Sequence, residues 1–197
     1  MMKLCFATNN EHKLSEAKDI AGNDFEIVSL KEINCFEELP ETRPTLEGNS
    51  LQKAEFVFQK YAVPCFADDT GLEVEALNGE PGVYSARYAG EHKNSNDNVD
   101  LLLHKLGDTE NRKARFRTVI TLMGFTEQPL YFEGVVNGTI MDGRRGTFGF
   151  GYDPIFIPDG YTKTYAEMNL QEKSVLSHRA IAVKQLGDYL KKHIIAR

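Results

Sequence analysis

The stretch that decides the fold is VPCFADDTGLEV, residues 63–74. A short apolar run ends in two adjacent carboxylates, Asp68 and Asp69, and the alternation of apolar and polar residues resumes at Leu72 and Val74. This pattern predicts a buried strand that delivers both acids to a turn, followed by a second strand. The alternative is an ordinary solvent-exposed turn, because Asp and Gly are common turn residues.

Two adjacent carboxylates restrict what the stretch can do. Held about 4 Å apart, they repel by about 4 kcal/mol at an effective dielectric constant of about 20. Asp68 and Asp69 must therefore point apart, share a proton or bind a cation. Oxygen ligands favour a hard cation such as Mg²⁺.

Length and charge set the broad class. With 197 residues the chain suits one domain of ordinary size, or one domain with two lobes. Its 41% hydrophobic and 26% charged residues are typical of a soluble globular protein. A formal net charge of −6 argues against a nucleic-acid or membrane-surface binder, which needs a basic face. A small anionic ligand stays compatible, because a few Lys and Arg side chains can dominate one pocket.

Neither a membrane span nor a signal peptide is predicted, because every apolar run is too short. The three cysteines, Cys5, Cys35 and Cys65, are an odd number in a chain large enough to fold without disulfides. They predict reduced thiols and a cytoplasmic location. We interpret their equal spacing as coincidence.

The N-terminal region predicts a strand, a polar loop and a helix. Residues 4–7 are apolar, residues 8–13 are polar, and a helical pattern from Leu14 to Ala21 ends at Gly22. If this strand and the one at 64–67 are parallel neighbours, the loops after both lie at the carboxyl edge of the sheet, where ligands bind. The helix start and Lys13 then predict an anion site. The alternative is a capped helix with a solvated Lys13.

Further elements follow from the same patterns. A second strand is predicted over 25–30, a helix from 46 or 49 to 61, a helix from 95 or 96 that ends before Gly107, and an antiparallel pair of strands over 114–125 and 130–141. The helix that ends at residue 61 is expected to bury Leu51, Ala54, Phe58 and Tyr61. Asn137-Gly138 predicts either a tight hairpin turn or a bulge.

Two segments in the last third are candidates for ligand contact. GTFGFGYDPIF, residues 146–156, alternates glycines with aromatic residues, which suits a backbone that approaches a flat ligand closely. A turn with aromatic corners is the alternative, and a dinucleotide fingerprint is excluded because the third glycine is missing. His178 and Arg179 lie on a helical stretch, although such a pair is more often on the surface.

Five motifs, in this order, resemble the inosine/xanthosine triphosphate pyrophosphatase family over essentially the whole chain. They are TNNxxK (8–13), ADDTGL (67–72), PGxYSARY (81–88), GFGYDPIF (149–156) and KSxxSHR (173–179). The resemblance implies an α/β fold with a long twisted mixed sheet flanked by helices, and two lobes with the active-site cleft between them. Residues 1–197 would then form a single two-lobed domain.

The resemblance also implies the activity and the partners. Members of this family are Mg²⁺-dependent homodimers that hydrolyse ITP, dITP and XTP to the monophosphate and pyrophosphate. The expected partner is a purine nucleoside triphosphate, with no nucleic acid and no membrane.

Site residues carry over from the family by position. Asp69 matches the catalytic carboxylate and metal ligand, and Glu41 matches the second metal-binding acid. The phosphate-side residues are Thr8, Asn9, Asn10, Lys13, Lys53 and Thr70, and those that recognise the nucleoside are Phe150, Gly151, Tyr152, Asp153, Lys173, His178 and Arg179.

Three positions depart from the family pattern. Asn9 replaces the usual Gly, so the turn is expected to adopt its geometry with a residue that tolerates a left-handed φ less freely. Thr70 replaces the common Ser and keeps the hydroxyl. The chain has Gly48-Asn49-Ser50 where Glu-Asn-Ala is common, which puts a metal role for position 48 in doubt.

Three competing interpretations stay open. Asp69-Thr70-Gly71 spells the aspartic-protease triplet, but that mechanism needs two such Asp residues and the chain has one copy. A nucleotide-sensing module without turnover would need the aromatic loop but not the acids. A pyrophosphatase for modified pyrimidines is the nearest enzymatic rival, and the Ser-His-Arg segment argues against it.

Overall fold

Six strands form a mixed sheet in a computed structural model that describes residues 2–195. The strands are β1 (Lys3–Phe6), β2 (Glu26–Val28), β3 (Cys65–Val74), β4 (Lys113–Met123), β5 (Leu130–Ile140) and β6 (Phe156–Pro158), in the order β2-β1-β3-β4-β5-β6. The helices are α1 (Glu11–Ala21), α2 (Leu46–Tyr61), α3 (Ser95–Leu106), α4 (Leu170–Leu176) and α5 (His178–Leu190). Because β1 pairs in parallel with β2 and β3 while β5 and β6 are antiparallel, the α/β class with a mixed sheet is confirmed.

The chain forms two compact units. Unit 1 comprises Met1–Asp69, Thr118–Gly134 and Arg179–Arg197, and unit 2 comprises Thr70–Arg117 and Val135–His178. The boundaries fall inside β3, β4 and β5 and just after the first residue of α5. A single domain over residues 1–197, with a cleft between two lobes, stays a prediction, and residues 1, 196 and 197 lie outside the described part of the chain.

Unit 1 is built on the parallel pair β1 and β3. Phe6 lies opposite Phe66 in the register, and their rings stack with centroids 4.4 Å apart. Phe25 meets Phe66 edge-on at 6.5 Å, and apolar residues of α1 and α5 complete this cluster. The strands at 4–7 and 64–67 are parallel neighbours, which meets the condition set for placing the loops after both at one edge of the sheet.

The three cysteines lie in a second apolar cluster of unit 1. All are free and buried, and Cys5 lies opposite Cys65 in the register of β1 and β3. Burial raises the pKa of Cys5 and of Cys65 to about 12. Both thiols therefore stay protonated and poorly reactive at neutral pH.

Strand β3 is continuous, so the turn predicted at Asp68-Asp69 is wrong. Both acids lie in extended backbone, and successive side chains of a strand point to opposite faces. Gly71 is explained by a close approach within unit 2 instead, because a Cβ there would lie 2.6 Å from the carbonyl oxygen of Gly82. The neighbouring Leu72 amide donates to Ser85 Oγ at 2.9 Å.

The helices α1 and α3 end where the sequence predicts, at Gly22 and Gly107. Helix α2 also has the predicted extent, and the apolar stripe proposed for it is confirmed in part, because Ala54 is buried and Phe58 and Tyr61 are half-buried against the cluster of the cysteines. The buried residues of α2 are Leu46, Asn49, Ser50, Lys53, Ala54 and Val57. These polar side chains can be buried because they form hydrogen bonds or ion pairs with partners in unit 1. For example, the hydroxyls of Ser50 and Thr121 lie 2.6 Å apart.

The hairpin turn proposed at Asn137-Gly138 is wrong, because β5 runs through both residues. Gly138 lies opposite Pro158 of β6, and a Cβ on it would lie 2.2 Å from the carbonyl oxygen of Ile157. The glycine therefore permits a close approach of two strands.

Helices within residues 2–195 are all too short or too polar to cross a lipid bilayer.

We expect Phe66→Ala to lower the free energy of unfolding by about 3–5 kcal/mol, because it removes a buried ring and leaves a cavity. Urea unfolding followed by circular dichroism measures the loss. The control is Phe36→Ala, since Phe36 is 77% exposed and its truncation should change stability by less than about 0.5 kcal/mol. Equal losses in the two variants would contradict the assignment of the Phe6–Phe66 stack to the core.

Candidate active site

Asp68 is buried among cationic side chains of unit 1. Its Oδ1 accepts from Lys13 Nζ at 3.0 Å, and its Oδ2 accepts from Arg179 Nη2 at 3.1 Å and Nε at 3.3 Å. Arg179 also donates to the carboxylate of Glu16. Burial alone raises the pKa of Asp68, but Lys13, Arg179 and Lys53 outweigh it and hold the pKa well below its usual range.

Asp69 has a different environment in the same unit. Its Oδ2 accepts from Asn49 Nδ2 at 3.0 Å, and its Oδ1 lies 3.9 Å from Lys53 Nζ. Burial raises the pKa of Asp69, although Lys53 and Lys13 oppose this shift. Of the possibilities open to the acid pair, the two carboxylates point apart, and each has its own partners.

Lys53 links Asp69 to the second predicted metal ligand. Its ammonium group donates to Glu41 Oε1 at 2.5 Å, and its side chain is only 4% exposed. Burial by itself lowers the pKa of Lys53, but Asp69, Glu41 and Asp68 outweigh burial and raise it. A positive charge therefore lies between the two acids.

The loop after β1 resolves the alternatives for residues 8–13. Asn10 caps α1, because its Oδ1 accepts from the amides of His12 and Lys13 at 3.0 and 3.1 Å. Thr8 Oγ1 accepts from the Asn10 amide at 3.2 Å. The capped helix is thus confirmed, but the solvated Lys13 is wrong, since its side chain is 14% exposed and bound to Asp68.

The φ of Asn9 is not positive, so the turn adopts its geometry without requiring the left-handed backbone that Gly tolerates best. The side chain of Asn9 bonds to the backbone of a distant segment. Nδ2 donates to the carbonyl of Glu37 at 3.2 Å, and Oδ1 accepts from the amide of Leu39 at 3.1 Å.

Asn49 is a site residue that the sequence analysis missed. Besides donating to Asp69, its side chain accepts from the Arg43 amide at 2.8 Å through Oδ1. The available signal was helical spacing, because Asn49 lies one turn before Lys53 on the same face of α2. At Gly48, a Cβ would lie 2.7 Å from Arg43 Cβ, so Arg43 fills the space next to this position.

In unit 2, Asp153 organises the glycine-rich loop. Its Oδ2 accepts from the Phe150 amide at 2.8 Å and from Lys173 Nζ at 2.6 Å. The Lys173 ammonium lies 5.0 Å from the centroid of the Phe150 ring. Gly149 has φ +74°, and a Cβ on it would lie 2.1 Å from Asp153 Oδ2, so this position requires glycine.

The side chains of Tyr152, His178 and Arg179, also predicted on the nucleoside side, are all buried. Tyr152 is buried, and its hydroxyl donates to the carbonyl of Ser85 at 3.0 Å, so its side chain belongs to the core of unit 2. His178 is also buried and stacks on Phe116 with centroids 4.7 Å apart. Since His178 and Arg179 are 3% and 1% exposed, the surface alternative for this pair is wrong.

The predicted residues therefore divide between the units. Unit 1 brings together Thr8, Asn9, Asn10, Lys13, Glu41, Lys53, Asp69 and Arg179, and unit 2 holds Thr70, Phe150, Gly151, Tyr152, Asp153, Lys173 and His178. The sequence analysis assigned Arg179 to the nucleoside side, whereas its guanidinium group is bound to Asp68 and Glu16 in unit 1.

The donor chemistry of unit 1 fits a hard divalent cation. Among residues 2–195, no three acidic, His or Cys side chains converge as a complete metal cage. Mg²⁺ does not need one, since proteins commonly hold it with one or two carboxylates plus substrate phosphates. The four acids Glu16, Glu41, Asp68 and Asp69 outnumber the three cations Lys13, Lys53 and Arg179. A polyphosphate would therefore need an added cation here, and Glu41 with Asp69 could hold it.

The chain belongs to the Ham1 family, whose model matches residues 4–189. It is 56% identical over 191 residues to the dITP/XTP pyrophosphatase of Porphyromonas gingivalis, covering 96% of this chain and 98% of that protein. It is 53% identical over 189 residues to the dITP/XTP pyrophosphatase of Flavobacterium johnsoniae, with the same coverage.

Solved structures agree with this assignment. The Ham1 protein of Staphylococcus aureus superposes with a TM-score of 0.86 at 40% identity, covering 96% of this chain and 98% of that one. A HAM1 protein from Coxiella burnetii gives a TM-score of 0.87 at 35% identity, covering 98% and 100%.

We expect Asp68→Asn to lower the free energy of unfolding at pH 7 by about 3–5 kcal/mol, because it removes the buried counter-ion of Lys13 and leaves Arg179 with Glu16 alone. The folded pKa of Asp68 lies below the unfolded value of about 3.9. Its stabilisation is therefore complete above that value and is lost as the pH falls toward the folded pKa.

Urea unfolding from pH 7 to pH 3 tests this expectation. The difference between wild type and Asp68→Asn should shrink below about pH 4. Asp108→Asn is the control, since Asp108 is exposed in the turn after α3. A difference that stays constant over the whole range would contradict the ionised Asp68.

Proposed function

We propose that this chain hydrolyses oxo-purine nucleoside triphosphates, namely ITP, dITP and XTP, to the monophosphate and pyrophosphate in a Mg²⁺-dependent reaction. One observation supports this most directly, namely the buried Asp69 carboxylate beside Lys53 and Glu41, in a unit that also holds Lys13. The names of the curated relatives point to the same substrates.

The negative charge of a triphosphate determines the role that we propose for unit 1. A triphosphate carries several negative charges, and catalysis of phosphoryl transfer is mostly positioning and electrostatic stabilisation. Bound Mg²⁺ would supply Lewis acidity and lower the pKa of a water molecule. Glu41 and Asp69 would hold the ion, and Lys13 and Lys53 would neutralise phosphate oxygens. Asp68 keeps Lys13 in place through their ion pair.

Asp69 is the proposed general base. It would accept the proton of the water that attacks the α-phosphorus, with pyrophosphate as the leaving group. An ordinary Asp is a weak base at neutral pH, so the step would rely on bound Mg²⁺ to lower the pKa of the attacking water. The Asn49 amide orients the carboxylate by donating to Oδ2.

Base selection is assigned to residues of unit 2. Hypoxanthine and xanthine present a hydrogen-bond acceptor at C6, whereas adenine presents a donor. Donors from Lys173 and His178 would meet that acceptor, and an amino group there would leave a buried donor unpaired at a cost of about 1–3 kcal/mol. Sites built on such pairs reject the wrong partner by about 10⁴-fold. For Arg179, the ion pair with Asp68 favours a role on the phosphate side.

We also propose a homodimer and a cytoplasmic location. The dimer follows from the family resemblance, and sedimentation equilibrium measures it. Three buried free cysteines are compatible with a reducing compartment.

The test is pyrophosphate release from ITP, XTP, dUTP and GTP, with and without Mg²⁺. We expect turnover of ITP and XTP with Mg²⁺ and little for the other two substrates. Asp69→Asn should abolish turnover of ITP while the circular dichroism spectrum stays native, because the base is removed and the shape is kept. Asp108→Asn serves as the matched control. Near-normal turnover by Asp69→Asn would remove Asp69 from the chemistry, and preferred release from dUTP would favour the pyrimidine enzyme.

Phe150→Ala tests the proposed stacking of the base. We expect KM for ITP to rise about 10- to 100-fold, since stacking on an aromatic ring is worth about 1–3 kcal/mol per base. The ratio of ITP to ATP turnover should stay constant, because every purine can stack. Phe148→Ala is the matched control, two residues away on an exposed ring. A changed ITP to ATP ratio, or an equal loss in the control, would argue against stacking on Phe150.

A further inference from the structure

The side chain of Asn9 closes a small hydrogen-bonded ring with a segment about thirty residues away. Its carboxamide donates to the Glu37 carbonyl and accepts from the Leu39 amide, at 3.2 and 3.1 Å. The carboxamide nitrogen and oxygen are thus both hydrogen-bonded to the backbone of one segment. Asn9 also lies in the loop between β1 and α1, flanked by Thr8 and the helix cap Asn10.

This segment leads directly to Glu41. Leu39 is 9% exposed and packs in the apolar cluster of the cysteines. The next residue is Pro40, whose ring fixes its own φ and restricts Leu39 to an extended backbone. Fixing the Leu39 amide therefore fixes the direction in which the chain reaches Glu41.

On the other side of Glu41, helix α2 holds the chain. The Thr42 amide donates to Gln52 Oε1 at 3.0 Å, and the Arg43 amide donates to Asn49 Oδ1 at 2.8 Å. Glu41 thus lies between two sets of side-chain contacts to backbone. Those on the carboxyl side come from α2, and those on the amino side come from Asn9.

We propose that Asn9 is a positioning residue that couples the loop between β1 and α1 to the metal-binding acid Glu41. This inference rests on the proposed function, because it takes Glu41 as a ligand of the divalent ion. Asn9 then acts through the segment 37–40 rather than by touching the substrate. Losing its carboxamide should weaken metal binding even when no nucleotide is present.

Titration of the substrate-free protein with Mn²⁺, followed by electron paramagnetic resonance, tests the coupling, since oxygen ligands that suit Mg²⁺ also suit Mn²⁺. We expect Asn9→Ala to bind Mn²⁺ about tenfold more weakly than wild type, the equivalent of one net hydrogen bond. The control is Asn137→Ala, at an exposed position on β5, which should bind as wild type does. Hydrogen exchange of the Leu39 amide should be faster in Asn9→Ala only.

A double-mutant cycle with Pro40→Ala sharpens the test. If both residues act through the same segment, the double variant should bind Mn²⁺ about as weakly as the weaker single variant. Additive losses would overturn the proposal, and so would a raised KM for ITP with unchanged Mn²⁺ affinity, which would indicate direct contact with the substrate. Absence of Mn²⁺ binding by substrate-free wild type would also overturn this inference, whereas turnover of ITP without any divalent ion would refute the metal assignment in the proposed function, and this inference with it.

Discussion

The pleat of an extended strand separates Asp68 from Asp69, and the chemistry of unit 1 depends on that separation. The Asp68 carboxylate contacts Lys13 and Arg179, and these cations outweigh burial and lower its pKa. The Asp69 carboxylate contacts the Asn49 amide and a more distant ammonium group, and burial raises its pKa. Titratable neighbours whose environments push their pKa values apart are the usual mark of divided roles. In the proposed mechanism, Asp68 would be the permanent counter-ion, and Asp69 would exchange a proton.

Buried ion pairs of this kind are poor evidence for stability, because desolvation offsets much of the attraction. In unit 1 these ion pairs instead hold the charged side chains in fixed orientations. Lys53 is held between two acids, and Asn49 holds Asp69 together with the backbone at Arg43. Helix α2 thus uses its buried face for polar groups, at positions where a helix that only packs would bury leucine or valine. Burying these polar groups is unfavourable for stability, as expected where side chains must contact a ligand at fixed positions.

Local signals were enough to predict much of the fold. Apolar periodicity and terminal glycines predicted α1 and α3, and apolar runs predicted β1 and the first part of β3, although the parallel pairing of the two strands was left open. The errors occurred where a partner distant in sequence decides the conformation. Gly71 is explained by Gly82, and Gly138 by Ile157 on β6, so neither glycine marks a turn. The site residues followed from the family resemblance, whereas Asn49 and the contacts of Asn9 depend on long-range geometry that no spacing rule contains.

The contact between Gly48 and Arg43 limits which residues the chain can carry at position 48. Any side chain at position 48 would meet Arg43 Cβ, which a Cβ there would approach to 2.7 Å. A glutamate at position 48 would therefore require the backbone around Arg43 to shift. Because the obstacle is a Cβ atom, which every residue except glycine carries, replacing Arg43 by another side chain would not remove it.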